Sequence, residues 1–203
     1  MLTQHQTGAA AGTGSIIDAR AQRSRATVLA AATELLESTG VGGFSVDEVA
    51  RRSGVAKTTI YRHWPTREAL VLDACAGLDD RYDLPDTGTL RGDVGAFVAD
   101  LVHMVTRASW ASVLPSIVDA AERNAAFADM HAQIQKGHAS LIAQIAERAI
   151  GRGELPAGTD TALLASTVMG PVFYRRWFSR EPLDAAFIDA VTDRAIRGVQ
   201  GCD

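Results

Sequence analysis

Residues 45–64 read SVDEVARRSGVAKTTIYRHW, and this stretch decides the fold. Ser45-Val46-Asp47-Glu48 fits a capping box: the Ser45 hydroxyl accepts from the Glu48 amide, and the Glu48 carboxylate reaches back to Ser45. A helix of about two turns follows through Arg52 and stops at Ser53-Gly54. A second short helix opens near Lys57 and runs to Trp64, where Pro65 halts it. Two short helices joined by a tight turn are the helix-turn-helix plan, in which the second helix enters the DNA major groove. Val46, Val49, Ala50, Val55, Ile60 and Trp64 fall on the inward sides, with Leu29, Leu36 and Leu70 beneath. The outward side of the second helix presents Lys57, Thr58 and Tyr61, flanked by Thr59, Arg62 and His63.

That outward chemistry suits nucleic acid. Lys57 can donate to guanine O6 and N7, and Thr58 offers a hydroxyl together with a methyl for thymine. The hydroxyls of Ser45, Thr59 and Tyr61, with the charges of His63 and Arg67, suit phosphate oxygens. The chain carries 18 arginines and two lysines, so Lys57 is not explained by a lysine-rich surface. Net charge is −4, yet residues 20–68 hold eight Lys or Arg against five Asp or Glu. From residue 83 onward 11 basic residues meet 15 acidic ones. The positive surplus is therefore local to the end that bears the two short helices.

Outward from this stretch, periodicity of three to four residues recurs and strand-like alternation does not persist. The pattern predicts an all-α chain of about nine helices, a three-helix N-terminal unit followed by a larger helical domain. A first helix is expected over 21–38, ended by Gly40, Gly42 and Gly43, and Thr66 caps a fourth over 67–81. Residues 1–19 read as a disordered tail, 20–82 as the first domain, 82–90 as a connection and 91–203 as the second domain. Helices are expected at 91–108, 110–121, 124–151, 160–179 and 184–199, the penultimate one kinked by Pro171.

Composition excludes several classes. At 47% hydrophobic and 22% charged, the chain reads as an ordinary globular protein. Apolar stretches are broken by charge before the roughly 18 residues a membrane span needs. Cys75 and Cys202 make neither a disulfide framework nor a metal cluster, so a reducing cytoplasm is the simplest setting. Cys75 fits a small buried residue better than a redox sensor. His103, His131 and His138 lack metal-ligand spacing, and no metal or cofactor is expected. No nucleophile elbow, phosphate loop or paired catalytic carboxylates point to an enzyme.

Thr33 to Leu70, TELLESTGVGGFSVDEVARRSGVAKTTIYRHWPTREAL, resembles the N-terminal signature of the TetR family of transcriptional regulators along nearly its whole length. Trp64 stands where phenylalanine is commoner and Arg67 where lysine is commoner. The resemblance implies base reading by Lys57 and Thr58. It implies backbone contacts from Ser45, Thr59, Tyr61, His63 and Arg67, with Arg62 beside them. Residues 153–200 also resemble a C-terminal domain type of that family, through Gly153-Glu154-Leu155-Pro156, Gly170-Pro171 before an aromatic cluster, and Glu181-Pro182-Leu183.

What the resemblance implies is a repressor released from a palindromic operator by a small-molecule effector, acting as a homodimer whose last two helices build a four-helix bundle. Phe97, Leu101, Met104, Trp110, Phe127, Met130, Phe173, Tyr174 and Trp177 are the candidate effector-pocket residues, with His103 and His131 as polar contacts. Each fits plain core as well as a pocket wall. A ligand-independent DNA-binding architectural protein is the alternative.

Overall fold

Two glycines with left-handed backbones set the chain's direction in its first third. A computed structural model describes residues 12–76, 84–106 and 108–200, with side chains over 21–76, 84–106 and 111–199. Helix α1 (Gly12–Thr39) ends where Gly40 takes φ 65°, and α2 (Val46–Ser53) ends where Gly54 takes φ 68°. Both are conformations that a Cβ disfavours. Helix α3 (Lys57–His63) begins after only three intervening residues, and α4 (Arg67–Ala76) follows Pro65. Thr66 caps α4 as the sequence predicts, its hydroxyl accepting from the Ala69 amide at 3.1 Å.

Helix α1 begins earlier than expected. Residues 12–19, read as part of a tail, are helical, as is residue 20, while residues 1–11 lie outside the described residues. No proline interrupts the segment before Ala21, and Ala19 and Arg20 are good helix formers. The end expected for α4, over 77–81, also lies outside the described residues. The chain divides into two compact units, one through residue 78 and one from residue 79.

In the first unit, α1 packs on α2 and α4. Val28, Ala32, Leu35 and Leu36 of α1 are buried with Val46, Val49, Ile60, Trp64 and Leu70. A polar clamp reinforces them. Asp73 of α4 lies 2.5 Å from Arg25 of α1 and accepts from the Trp64 indole at 2.8 Å.

The second unit holds α5 (Leu90–Thr106), α6 (Ala108–Ala121), α7 (Ala125–Gly151), α8 (Thr161–Tyr174), a π-helical turn (Arg175–Ser179) and α9 (Ala185–Gln200). Helix α5 touches each of the other four. Its apolar residues, among them Val94, Phe97, Val98 and Leu101, are buried accordingly. Helix α8 continues through Pro171 and widens four residues later into the π turn. Among the described residues the fold is all-α, with nine α-helices and no strand.

Asp93, on the first turn of α5, is 0% exposed. Its carboxylate accepts from the Thr87 amide at 2.6 Å and the Thr87 hydroxyl at 2.8 Å, with Arg152 3.4 Å and Arg148 3.6 Å away. Arg148 also donates to the Pro85 carbonyl, so the segment leading into α5 is fastened to α7. Burial alone would raise the Asp93 pKa, but the Thr87 bonds and the two guanidiniums outweigh it and hold the carboxyl below its ordinary 3.8. A depressed folded-state pKa stabilises the fold above the ordinary value, and that stabilisation is lost as pH falls through the lower folded value. Asp93→Asn should therefore cost about 2 kcal/mol near neutral pH. It should also flatten the loss of stability below about pH 4. Denaturant unfolding of both proteins across that range checks this, and parallel acid profiles would refute it.

Candidate nucleic-acid interface

Of the eight residues expected at DNA, six group on one exposed surface. Lys57, Thr58, Tyr61, Arg62 and His63 are exposed along α3, and Thr59 is half-buried among them. They stand outward because Ile60 and Trp64 turn the opposite side of α3 into the core with Val49. Thr59, Arg62 and His63 share a concavity of about 640 Å³ with Ala21 and Ser24 of α1 and with Gly54 and Val55 of the turn. The lining from α1 was not anticipated, since nothing in the pattern of residues 21–24 distinguishes them from any exposed helical turn.

Lys57 is engaged. Its ammonium pairs with Asp47 at the start of α2, across the turn between the two short helices. The bond that Lys57 donates to the Asp47 carboxylate holds the Lys57 pKa above its ordinary value, so the side chain stays charged. Sequence reasoning missed this partner because Asp47 reads as part of the capping box.

The capping box itself does not form. Ser45 takes the extended backbone of an N-cap, φ −134° and ψ 129°, but its side chain makes no cap hydrogen bond. Glu48 instead accepts from Arg51 at 2.6 and 2.8 Å and from Arg52 at 2.8 Å. Those bonds, Arg51's first, draw the Glu48 carboxyl down to about 2. Two arginines one turn along outcompete a single serine amide for one carboxylate.

Arg67 also departs from expectation. Its Nε donates to the Phe44 carbonyl at 3.1 Å, another nitrogen donates to the Val41 carbonyl, and its guanidinium carbon lies 5.8 Å from the Phe44 ring centroid. The donors expected at phosphate hold the loop between α1 and α2. That loop carries three glycines and offers carbonyls that no helix satisfies, which makes it the nearer acceptor.

In the second unit, Phe97, Leu101, Met104 and Phe127 are buried and Met130 is half-buried. Phe173 and Trp177 form a tilted pair 5.5 Å apart. Tyr174, expected at a pocket wall, is 61% exposed and stacks on Phe178 at 5.8 Å. Leu164, Ala165, Val168 and Val172 take the inward face of α8, which leaves Tyr174 on the outward one. The Trp110 side chain lies outside the described residues. His103 is exposed, and His131 contacts Gln135 at 3.2 Å. Among the described residues no group of His, Cys, Asp and Glu can hold a metal, and no helix is long and apolar enough to cross a membrane. Cys75 is 2% exposed, and burial pushes its thiol up to about 11, the reverse of what a redox-sensing thiol needs.

Residues 28–74 match the model of the tetR family of bacterial regulatory proteins, and residues 84–195 match the tetracyclin repressor-like C-terminal domain. An HTH-type transcriptional regulator of Bacillus subtilis (strain 168) is 27% identical over 85% of this chain and 88% of its own length. A DNA-binding transcriptional repressor of Mycobacteroides abscessus is 29% identical over 86% of this chain and 93% of its own. The crystal structure of a TetR family transcription regulator is 32% identical, superimposes with a TM-score of 0.65, and covers 87% of this chain and 98% of that one.

The Arg67 contacts generate a test. Arg67→Ala leaves the Val41 and Phe44 carbonyls without that donor and should lower stability by roughly 1–3 kcal/mol. Arg67→Lys should recover part of the loss, since one ammonium cannot span both carbonyls as the guanidinium fork does. Chemical denaturation reads the effect. Full stability in the alanine variant, combined with lost DNA affinity, would return Arg67 to a phosphate.

Proposed function

Because the chain belongs to the tetR family of bacterial regulatory proteins, we propose that it is a sequence-specific repressor of transcription. In this reading it leaves a palindromic operator when a small molecule binds its second unit, and it works in the cytoplasm. The observation that carries the reading is the exposed row on α3, Lys57, Thr58 and Tyr61, above a core of Val49, Ile60 and Trp64. Lys57 and Thr58, at the start of the recognition helix, read base edges. Ser45, Thr59, Tyr61, Arg62 and His63 hold phosphates. On reaching DNA, Lys57 exchanges the Asp47 carboxylate for a base acceptor, while Arg67 keeps the preceding loop in shape.

Two protomers place two recognition helices about one helical turn apart, roughly 34–36 Å. What supports a self-complementary interface is the outward face of α8 and α9. Leu163 is 58% exposed and Phe178 76%, and Tyr174 stacks beside the latter. Between them Pro171, Tyr174, Phe187 and Val191 line a groove of about 360 Å³. Apolar area of this kind is buried in a two-fold dimer. The effector acts by binding one arrangement of the two reading heads better than the other, which shifts the population between them.

Selection of bound sites from random DNA tests the first half. The wild type should enrich a palindrome. Lys57→Ala should blur particular base pairs at roughly 1–3 kcal/mol, and Tyr61→Phe should weaken all sequences alike. Failure to enrich any site overturns the regulator reading. Sedimentation at micromolar concentration tests the second half: the wild type should run as a dimer and Phe178→Arg should shift it toward the 21.5 kDa monomer. A wild-type monomer would refute the assembly.

A further inference from the structure

The connection between α8 and α9 concentrates positive charge in one concave place. Arg175, Arg176 and Arg180, with Thr106, Glu181 and Leu183, line a site of about 360 Å³. Arg175 is committed locally: its Nε lies 3.1 Å from Glu181, its Nη1 donates to the Pro182 carbonyl at 2.8 Å, and its guanidinium carbon sits 4.2 Å from the Phe187 ring centroid. Arg176 donates its Nε to the Val105 carbonyl at 2.7 Å, and its guanidinium carbon lies 5.9 Å from the Trp177 ring centroid, which leaves its terminal nitrogens for another acceptor. Neither Arg176 nor Arg180 has a carboxylate partner among the described residues. The other acid of the connection, Asp184, is occupied in accepting from the Phe187 amide at the start of α9.

The backbone at this place is unusual twice. Residues 175–179 form a π-helical turn, a rare form that concentrates at functional sites. Arg180 ends it with φ 56°, the positive φ of a non-glycine residue among the described residues. Glycine is the residue that closes a helix in this conformation without steric conflict. An arginine there is strained, and such strain gathers where a side chain is put to use. Arg180 lines the same site as Arg176.

We propose that this site binds the oxyanion end of a small molecule, a carboxylate or a phosphate, through the free guanidinium nitrogens of Arg176 and Arg180. Guanidinium forks match both oxyanions with paired, charge-assisted hydrogen bonds. Arg175, fixed by Glu181 and Pro182, forms the positive wall beside them. The proposal deepens the effector reading above and rests on it for its regulatory meaning, while anion binding itself stands on the site alone.

Thermal melts of the full chain in sodium phosphate, sodium citrate and sodium chloride, at equal pH and ionic strength, test it. Phosphate, citrate or both should raise the wild-type Tm by several degrees over chloride. A response to one alone assigns the source as phosphate or carboxylate. R180G should melt in chloride no lower than the wild type, because glycine relieves the left-handed backbone, and should lose most of the anion-dependent gain. R180N gives a second variant, since asparagine also tolerates that backbone. General exclusion of phosphate and citrate from protein surfaces would raise all three proteins equally. Equal gains in wild type and variants, or no gain in the wild type, overturn the site. Operator affinity measured in the same anions separates the two readings. Anion binding lost in R180G, with operator affinity unaffected by the anion, keeps the site and removes its role as sensor.

Discussion

Helices α2 and α3 have eight and seven residues, too few to persist in water without support. Their existence depends on burial of Val49, Ile60 and Trp64 against each other and the apolar face of α1. The exposed row proposed to face DNA is the reverse side of that packing, so the proposed recognition and stability share the same two helices. A change that loosens Ile60 or Trp64 displaces Lys57 and Tyr61 without touching either. The Asp73 carboxylate, which joins Arg25 to the Trp64 indole, serves the same end, because it fixes the point where α3 meets the rest of the unit.

Apolar spacing made the helices legible in the sequence. The inward positions of α2, α3, α5 and α8 recur at three and four residues, and burial follows them. Glycine and proline gave the ends: Gly40, Gly54 and Pro65 stop or separate helices where local backbone chemistry requires it. The destinations of long charged side chains were harder to read. Glu48 could bond back to Ser45 or forward to Arg51 and Arg52, and the sequence does not weigh those partners. Arg67 could reach out to phosphate or in to the Val41 and Phe44 carbonyls, and only the folded chain brings those carbonyls within its reach. Tyr174 illustrates a third limit. Aromatic residues at helical spacing look alike whether they line an interior or an outer face, and the difference lies in which side of α8 meets α5 and α7.

The second unit is organised around α5, and its polar fastening is concentrated at the N-terminal end of that helix. Asp93, Arg148 and Arg152 meet there with Thr87 and Pro85. Glu154 adds a further tie, accepting from the Leu90 amide at 2.6 Å. A chain segment without helical hydrogen bonds is thus held by side chains from the end of α7. The opposite end of α5, at the π turn, has Arg176 bonded to the Val105 carbonyl, and among the described residues neither Arg176 nor Arg180 has a carboxylate partner. One end is built for rigidity and the other carries the chemistry left over for a ligand.

Cys75, buried in α4 with its thiol proton held to about pH 11, has a consequence for kinetics. A sulfur in that state reacts with alkylating reagents only from a conformation in which the surrounding packing has parted and the thiol can ionise. Its modification rate therefore counts the openings of α4, with the buried state acting as a shutter. The residue that is shielded from oxidants in the closed form is, for the same reason, a chemical clock for the breathing of the helix that follows the two short ones.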